Sequence, residues 1–278
     1  MTATRSWLFV PGDRPDRFDR AYVSGADRVI VDLEDAVAPN HKDEARRAIA
    51  AWLTPRQPVF VRVNAPGSTW FTDDLDAVCK PGLAGIMVPK AEEAAAVRQA
   101  ARMLVGLEGT TIIPLVETAR GIWAARRLAS SSPRVERLAL GLLDLALDLG
   151  APLGLNDQQA LIVRTQLVLA SRVARVAAPI DSVIAATDRT AELNAASAAA
   201  YRLGFAGKFA IHPRQVPIIN AAFGPTSDEV AWATRVVASF DAAAGGVLIV
   251  DGVMIDRPTV EQARYTLTRK DGRGSPLS

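Results

Sequence analysis

The chain has 278 residues, 49% of them hydrophobic, enough to bury a sizeable core as one large α/β domain or two smaller ones. Its 32 basic and 30 acidic side chains are interleaved and leave a net charge of +2, so no concentrated basic face is on offer to nucleic acid. A single cysteine, Cys79, rules out an intramolecular disulfide and suggests a reducing compartment, with the thiol as inert packing.

The opening stretch MTATRSWLFVPGD holds only about four apolar residues in a row, short of the roughly 7–15 of a signal sequence. Nothing approaches the ~20 apolar residues of a membrane span, and the expectation is a cytoplasmic protein. Apolar, β-rich runs then recur in chain order: SWLFVPG, RVIVDLED, VFVRVNA, GIMVPKA, TIIPLVETA, RLALGLLDLA, and the weaker APIDSVI and GKFAIHP. They are nearly continuous in apolar character, as parallel strands covered on both faces are. Between them lie helical stretches such as HKDEARRAIAAWL, AEEAAAVRQAARML and DQQALIVRTQLVLASRVARV. An alternation of this length fits a doubly wound sheet or a (β/α)8 TIM barrel. The first strand is followed by PGDRPDRF, which does not match G-x-G-x-x-G, and the barrel is favoured. The expected organisation is a barrel domain over residues 1–224 and a C-terminal helical extension over 225–278. In the extension a short extended piece leads into a last helix, and the final RKDGRGSPLS is expected to be disordered.

In such a barrel the site lies at the C-terminal strand ends, and the closing residues here are polar: Pro11 to Asp13, Asp32 to Asp35, Arg62, Asn64, Lys90, Glu117, Asp144, Asp181 and His212. Glu117 and Asp144 end long apolar runs on adjacent strands, where two carboxylates repel unless a cation or shared proton compensates. Oxygen ligands suit Mg²⁺, which takes one or two protein carboxylates and leaves the rest to water and substrate. With only His41, His212 and one cysteine, a zinc site is hard to build. The bland alternative is that each acid caps the helix after its strand, and Asp148, placed in the following helix, is read as structural. Lys90 is read either as a salt bridge in the mouth or as a substrate contact. Of Asp32 and Glu34, one is expected to point towards Arg62 or Lys90 or to order water on the metal, with Asp35 capping the turn.

The motifs RSWLFVPGDRPDRF, VIVDLEDAVAP, KDEAR, VRVNAP, VPKAE, PLVETARG, LGLLDLALDLG, GFAGKFAIHPRQV and DGVMIDRP together resemble the citrate lyase β-subunit family, related to the HpcH/HpaI aldolases, from about residue 5 to residue 265. The resemblance implies an oligomeric (β/α)8 barrel, a trimer or hexamer, that uses Mg²⁺ to cleave or form a 3-hydroxyacyl thioester, such as a citryl-, malyl- or citramalyl-thioester. The products would be an acetyl thioester and a 2-oxo acid. Carried over by position, Glu117 and Asp144 are the metal ligands and Arg62 holds the substrate carboxylate and oxygen, with Asp32 and Lys90 beside it. Asp256 matches an acid or base that in several relatives reaches a neighbouring subunit's site. His212 lies where relatives contact coenzyme A, and Arg20, with Arg14 and Arg17, offers charge for its phosphates without an exact match. Leu143 stands where many relatives carry an acid before the metal-binding aspartate. The thioester carrier is coenzyme A or an acyl carrier protein. The alternatives are a class II aldolase acting on free 4-hydroxy-2-oxo acids, which would need neither Asp256 nor a coenzyme site, and a non-catalytic ligand-binding barrel, which would have no need to keep repelling acids together.

Overall fold

The computed structural model describes residues 4–151, 157–243 and 247–270. The chain divides into two compact units, one of Thr4–Asn220 and a second built on the residues from Ala221.

The first unit alternates strand and helix: β1 (Ser6–Pro11), α1 (Phe18–Tyr22), β2 (Arg28–Asp32), α2 (Lys42–Trp52), β3 (Val59–Arg62), α3 (Phe71–Val78), β4 (Leu83–Val88), α4 (Ala94–Met103), β5 (Thr111–Val116), α5 (Ala119–Ala129), β6 (Arg137–Leu140), α6 (Leu142–Asp148), α7 (Asp157–Ala174), β7 (Ala177–Asp181), α8 (Thr190–Arg202) and β8 (Gly207–Ala210). The strands pair in parallel from β1 to β8, and β8 returns to β1 through Trp7 and Phe209, closing a barrel. Each of the eight apolar runs supplies one strand.

Alternation along the strands fills the barrel with Trp7, Ile30, Phe60, Met87, Ile113, Ala139, Ile180 and Phe209. The interior is therefore a packed core with no pore. Trp7 and Phe60 meet edge to face at 5.0 Å, and Gly85 leaves room for the Phe60 ring, which any side chain there would overlap. Val29, Val31, Val61, Ile86 and Ile112, on the opposite strand faces, are equally buried. Burial on both faces explains why the runs read as continuously apolar.

Asp181 departs from the strand-end expectation. Its neighbour Ile180 points into the barrel, so Asp181 points out, where Arg164 of α7 (2.8 Å) and Lys208 of β8 (2.6 Å) bind its two oxygens. All three groups are shielded by packing, and the cluster ties the barrel wall to α7, away from the mouth.

Helix α9 (Val216–Ala222) leads on to the second unit, in which α10 (Ser227–Ala242) and α11 (Arg257–Lys270) share a core of Ala233, Val236, Val250, Ile255, Val260 and Ala263. A capping box between Thr226 and Glu229 starts α10. The extended piece expected here is a two-stranded hairpin, β9 (Leu248–Val250) against β10 (Val253–Ile255). Its turn is Asp251-Gly252 with φ +51° and +77°, the left-handed pair that a two-residue hairpin needs. Of the expected disordered tail, Arg269 and Lys270 close α11, and 271–278 lie outside the described residues. No described helix is long and apolar enough to cross a membrane.

Candidate active site

The mouth is anchored by an ion pair across neighbouring strands. The register of β2 and β3 sets Asp32 beside Arg62, and Arg62 Nε and Nη2 donate to the two Asp32 oxygens at 2.7 and 2.6 Å. This is the bidentate geometry that a guanidinium favours. Burial alone would raise the Asp32 pKa, but Arg62 and the N–H groups of Glu34 and Ala36 outweigh it and hold the carboxyl below its ordinary range. Burial likewise opposes the charge on Arg62, and Asp32, Glu34 and Glu117 more than restore it. The guanidinium lies 4.9 Å over the Phe9 ring, a favourable cation–aromatic contact.

The turn after β2 is capped by Asp32, which accepts from the N–H of Glu34 at 2.9 Å and of Ala36 at 3.2 Å. Asp35, expected in that role, is 58% exposed and stands 3.9 Å from Lys90. Both Asp32 and Glu34 point towards the cations, where only one was expected to. Asp32 reaches Arg62, and Glu34 Oε1 accepts from Lys90 Nζ at 2.6 Å. Burial raises the Glu34 pKa, and Arg62 and Lys90 offset that only in part.

Lys90 adopts φ +46° just after β4, a left-handed conformation that costs a non-glycine residue roughly 1 kcal/mol or more. The strained backbone lets one residue serve two acids. Its N–H donates to Glu117 Oε1 at 2.8 Å while Nζ reaches Glu34 and stands 3.8 Å from Asp144. Burial disfavours the ammonium, but Glu34 and then Glu117 and Asp35 raise its pKa above the ordinary value.

Glu117 directly follows β5 and is 1% exposed. Burial first, then the negative fields of Glu34 and Asp144, push its pKa up to about 8. Gly141 makes room for it: a Cβ there would lie 2.7 Å from Glu117 Cβ and collide with Oε2. Asp144 sits in the first turn of α6, beyond the strand end, one third exposed.

The other candidates divide by place. Asp148 accepts from the Ala119 N–H at 2.8 Å and fixes the start of α5. Asn64 is held by Asp74, which accepts from its backbone and side-chain nitrogens at 2.8 and 2.6 Å. His212 caps the turn after β8 through Nδ1, accepting from the Arg214 N–H at 3.1 Å. Arg20 is exposed on α1 and forms no ion pair among the described residues. Asp256 belongs to the second unit and caps α11, accepting from Thr259 Oγ1 at 2.6 Å and Thr259 N–H at 3.1 Å. Those two hydrogen bonds keep its carboxyl below the usual range. Cys79 is half-buried, and burial lifts its thiol to about 11, which leaves it inert.

Lys42 escaped the sequence reading, which took it only as part of a helix. It is buried, donates to the carbonyls of Leu33 and Glu34 at 2.6 and 2.7 Å, and lies 5.3 Å from the Trp70 ring centre. Burial pulls its pKa down in spite of the acids around it. No local pattern marks this role, because the contact spans eight residues back to a turn.

Among the described residues no group of three His, Cys, Asp or Glu side chains can hold a metal ion. The pair Glu117 and Asp144 is smaller than such a group, but it fits a cation that takes one or two protein carboxylates. Glu117 is destabilised as an anion by Glu34 and Asp144, its Oε2 accepts no hydrogen bond among the described residues, and hard oxygens are the only donors offered. That is the donor set of Mg²⁺, which fills its remaining positions with water and substrate.

Fold and site define a class: a (β/α)8 barrel whose C-terminal strand ends gather carboxylates around a buried guanidinium. The chain belongs to the HpcH/HpaI aldolase/citrate lyase family, whose model matches residues 5–213. It is 37% identical to a citrate lyase subunit beta-like protein of Deinococcus radiodurans, over 96% of this chain and 97% of that protein. It is 32% identical to a (3S)-malyl-CoA thioesterase of Cereibacter sphaeroides, over 96% of this chain and 94% of that one. The crystal structure of protein CitE from Mycobacterium tuberculosis in complex with magnesium, acetoacetate and coenzyme A is similar with a TM-score of 0.84 and 33% identity, covering 97% of this chain and 98% of that chain. The family likeness read from the motifs holds, as does the barrel that it implied.

Proposed function

We propose that this barrel makes or breaks the carbon–carbon bond of a 3-hydroxyacyl thioester bearing a carboxylate on its hydroxyl carbon, with Mg²⁺ held by Glu117 and Asp144. The observation that carries the reading is Glu117 itself, a carboxyl pushed up to about 8 by burial and by two neighbouring acids beside a guanidinium locked in place by Asp32. Nothing in the packing of a barrel calls for that repulsion, and a bound cation relieves it. The relatives named for malyl-CoA chemistry and for complexes with magnesium and coenzyme A support the choice of metal and carrier.

When bound, Mg²⁺ supplies Lewis acidity that lowers the pKa of a substrate hydroxyl and stabilises the oxygens of the keto acid. Arg62, pinned through Nε and Nη2, presents its remaining Nη1 edge to the substrate carboxylate. Lys90 and Asp32 keep that edge and Glu34 in register. A general base takes the hydroxyl proton, the carbonyl of the 2-oxo acid forms as the bond to the thioester's α-carbon breaks, and the electron pair enters the thioester enolate, which an acid then protonates at carbon. Asp256, supplied by a neighbouring copy as the family likeness implies, is the acid or base at that carbon. Ionised as its Thr259 contacts hold it, it is set to take the proton in the condensing direction. His212 and Arg20 serve the coenzyme, and the protein works as a homo-oligomer.

Incubation with Mg²⁺ and malyl-, citramalyl- and citryl-thioesters of coenzyme A is expected to release acetyl-CoA and the matching 2-oxo acid. The thioesterase named among the relatives motivates a second reading, in which malyl-CoA yields malate and free coenzyme A. Cleavage of free 4-hydroxy-2-oxo acids without any thioester turnover would overturn both. Calorimetric Mg²⁺ binding to the wild type and its loss in Glu117→Gln test the metal assignment; equal affinity in the two would refute it.

A further inference from the structure

Glu34 carries a buried oxygen that meets the protein only through an ion pair with Arg62 and accepts no hydrogen bond. The residue is 5% exposed and held on three sides: its N–H donates to Asp32 at 2.9 Å, its carbonyl accepts from Lys42 at 2.7 Å, and its Oε1 accepts from Lys90 at 2.6 Å. Oε2 is buried and accepts no hydrogen bond. Arg62 Nη1 stands 3.1 Å away without an N–H aligned on it, while the other two nitrogens of the guanidinium are committed to Asp32. Arg62 balances the charge of this buried acceptor, but its capacity for a hydrogen bond stays unmet. Side-chain rotation does not relieve it here, because Lys90 holds the other oxygen.

The mouth therefore sets a donor edge beside an acceptor whose charge it balances but whose hydrogen bond it leaves unmade. An α-hydroxy carboxylate has the complementary pair on adjacent atoms, a carboxylate that accepts and a hydroxyl that donates. We propose that Glu34 is the specificity residue of this site, its Oε2 accepting the substrate hydroxyl's hydrogen bond while Arg62 Nη1 takes the neighbouring carboxylate. This rests on the function proposed above and deepens it by naming what selects a hydroxylated substrate. An analogue without the hydroxyl leaves Oε2 unmatched, and sites built to bond a hydroxyl discriminate strongly against such analogues. Lys42 and Lys90 are positioning residues for the carboxylate.

Malate and succinate differ by that single hydroxyl and can be read by calorimetry, without turnover, on the full-length protein in the same Mg²⁺ buffer. Wild type is expected to bind malate at least about tenfold more tightly than succinate, as a hydrogen bond to a charged acceptor would give. Glu34→Gln replaces the anion with a neutral amide, and most of the preference is expected to vanish through loss of malate affinity, with succinate unchanged. Glu34→Asp keeps the charge but withdraws the oxygen by one methylene, and the same loss is expected from whichever of the two gives the native circular dichroism spectrum. A wild type that binds the two acids alike, or neither, overturns the proposal, as does a preference that survives in a folded variant. Failure of the thioester panel would count against the lyase reading and leave this result standing.

Discussion

Glu117 makes a prediction whose sign and pH window follow from the structure. The carboxyl is 1% exposed and raised from 4.5 to about 8 by burial, then by Glu34 and Asp144. At pH below 4.5 it is protonated in the folded and the unfolded chain alike and contributes nothing. Between 4.5 and about 8 the unfolded chain gives up the proton while the folded chain keeps it, so stability falls as pH rises, by at most ~1.4 kcal/mol per pH unit. Above that range the loss is complete and amounts to about 5 kcal/mol as an upper figure. Glu117→Gln has no such proton to lose. In chelator, thermal unfolding is expected to find the variant close to wild type near pH 5 and more stable than it at pH 9. At roughly 2–4 °C per kcal/mol for a chain of this order of size, the difference in Tm is at most about 10–20 °C. Mg²⁺ should restore wild type at pH 9 and leave the variant where it was. Parallel pH profiles for the two proteins in chelator would refute the placement of Glu117 among unbalanced negative charge.

Gly141→Ala sets a Cβ against Glu117 Oε2 and 2.7 Å from its Cβ, and because Gly141 has an ordinary φ of −111° the cost is steric. A stability loss of about 1–3 kcal/mol with weakened Mg²⁺ binding is expected from denaturant melts and calorimetry; unchanged metal affinity would separate Gly141 from the site. Asp32→Asn should reduce kcat/KM for the thioester far more than it reduces Mg²⁺ affinity, since Asp32 holds Arg62 and not the cation; an equal fall in both would put Asp32 at the metal. In the outward cluster, Asp181→Asn leaves Lys208 and Arg164 without their shared anion and should cost about 3–5 kcal/mol in urea unfolding. Lys208→Met, which leaves Asp181 paired with Arg164, should cost clearly less. The reverse order would mean that the aspartate is not the hub.

The barrel was legible because its signal is local and repeated. Eight apolar runs, each able to fill a strand buried on both faces, needed only counting. The hairpin of β9 and β10 was half seen, since Asp251-Gly252 is a strong turn pair but its strands are three residues each. Asp181 shows what a closing residue does not reveal. One position earlier or later on a strand reverses the face, and the run APIDSVI does not say which of its residues faces in. Asp144 shows a second limit: its acid was visible, but a helix that begins at Leu142 carries it past the strand end. Lys42 and Gly141 were invisible for a plainer reason. Their roles lie in contacts with Leu33, Glu34 and Glu117 that no spacing rule encodes.

The acids of VDLED, which a sequence can only count, are distinguished by how many of their oxygens are already committed. Asp32 has both oxygens on Arg62 and two backbone N–H groups, so it belongs to the scaffold. Asp35 is turned outward. Glu34 has Oε1 bonded to Lys90 and Oε2 paired with Arg62 Nη1 without a hydrogen bond, and Glu117 has Oε1 on the Lys90 N–H. Substrate and cation can only address what is left over. The reactive surface of this mouth is therefore set less by which residues line it than by the hydrogen bonds left unmade there: at Glu34 Oε2, which meets Arg62 Nη1 only as an ion pair at 3.1 Å, and at the Glu117 oxygen beside Gly141. Lys90 commits the other oxygen of both acids at once, that of Glu117 through its strained backbone N–H and that of Glu34 through Nζ. A substitution that relaxes residue 90 should therefore disturb hydroxyl recognition and metal binding together, although Lys90 need touch neither ligand.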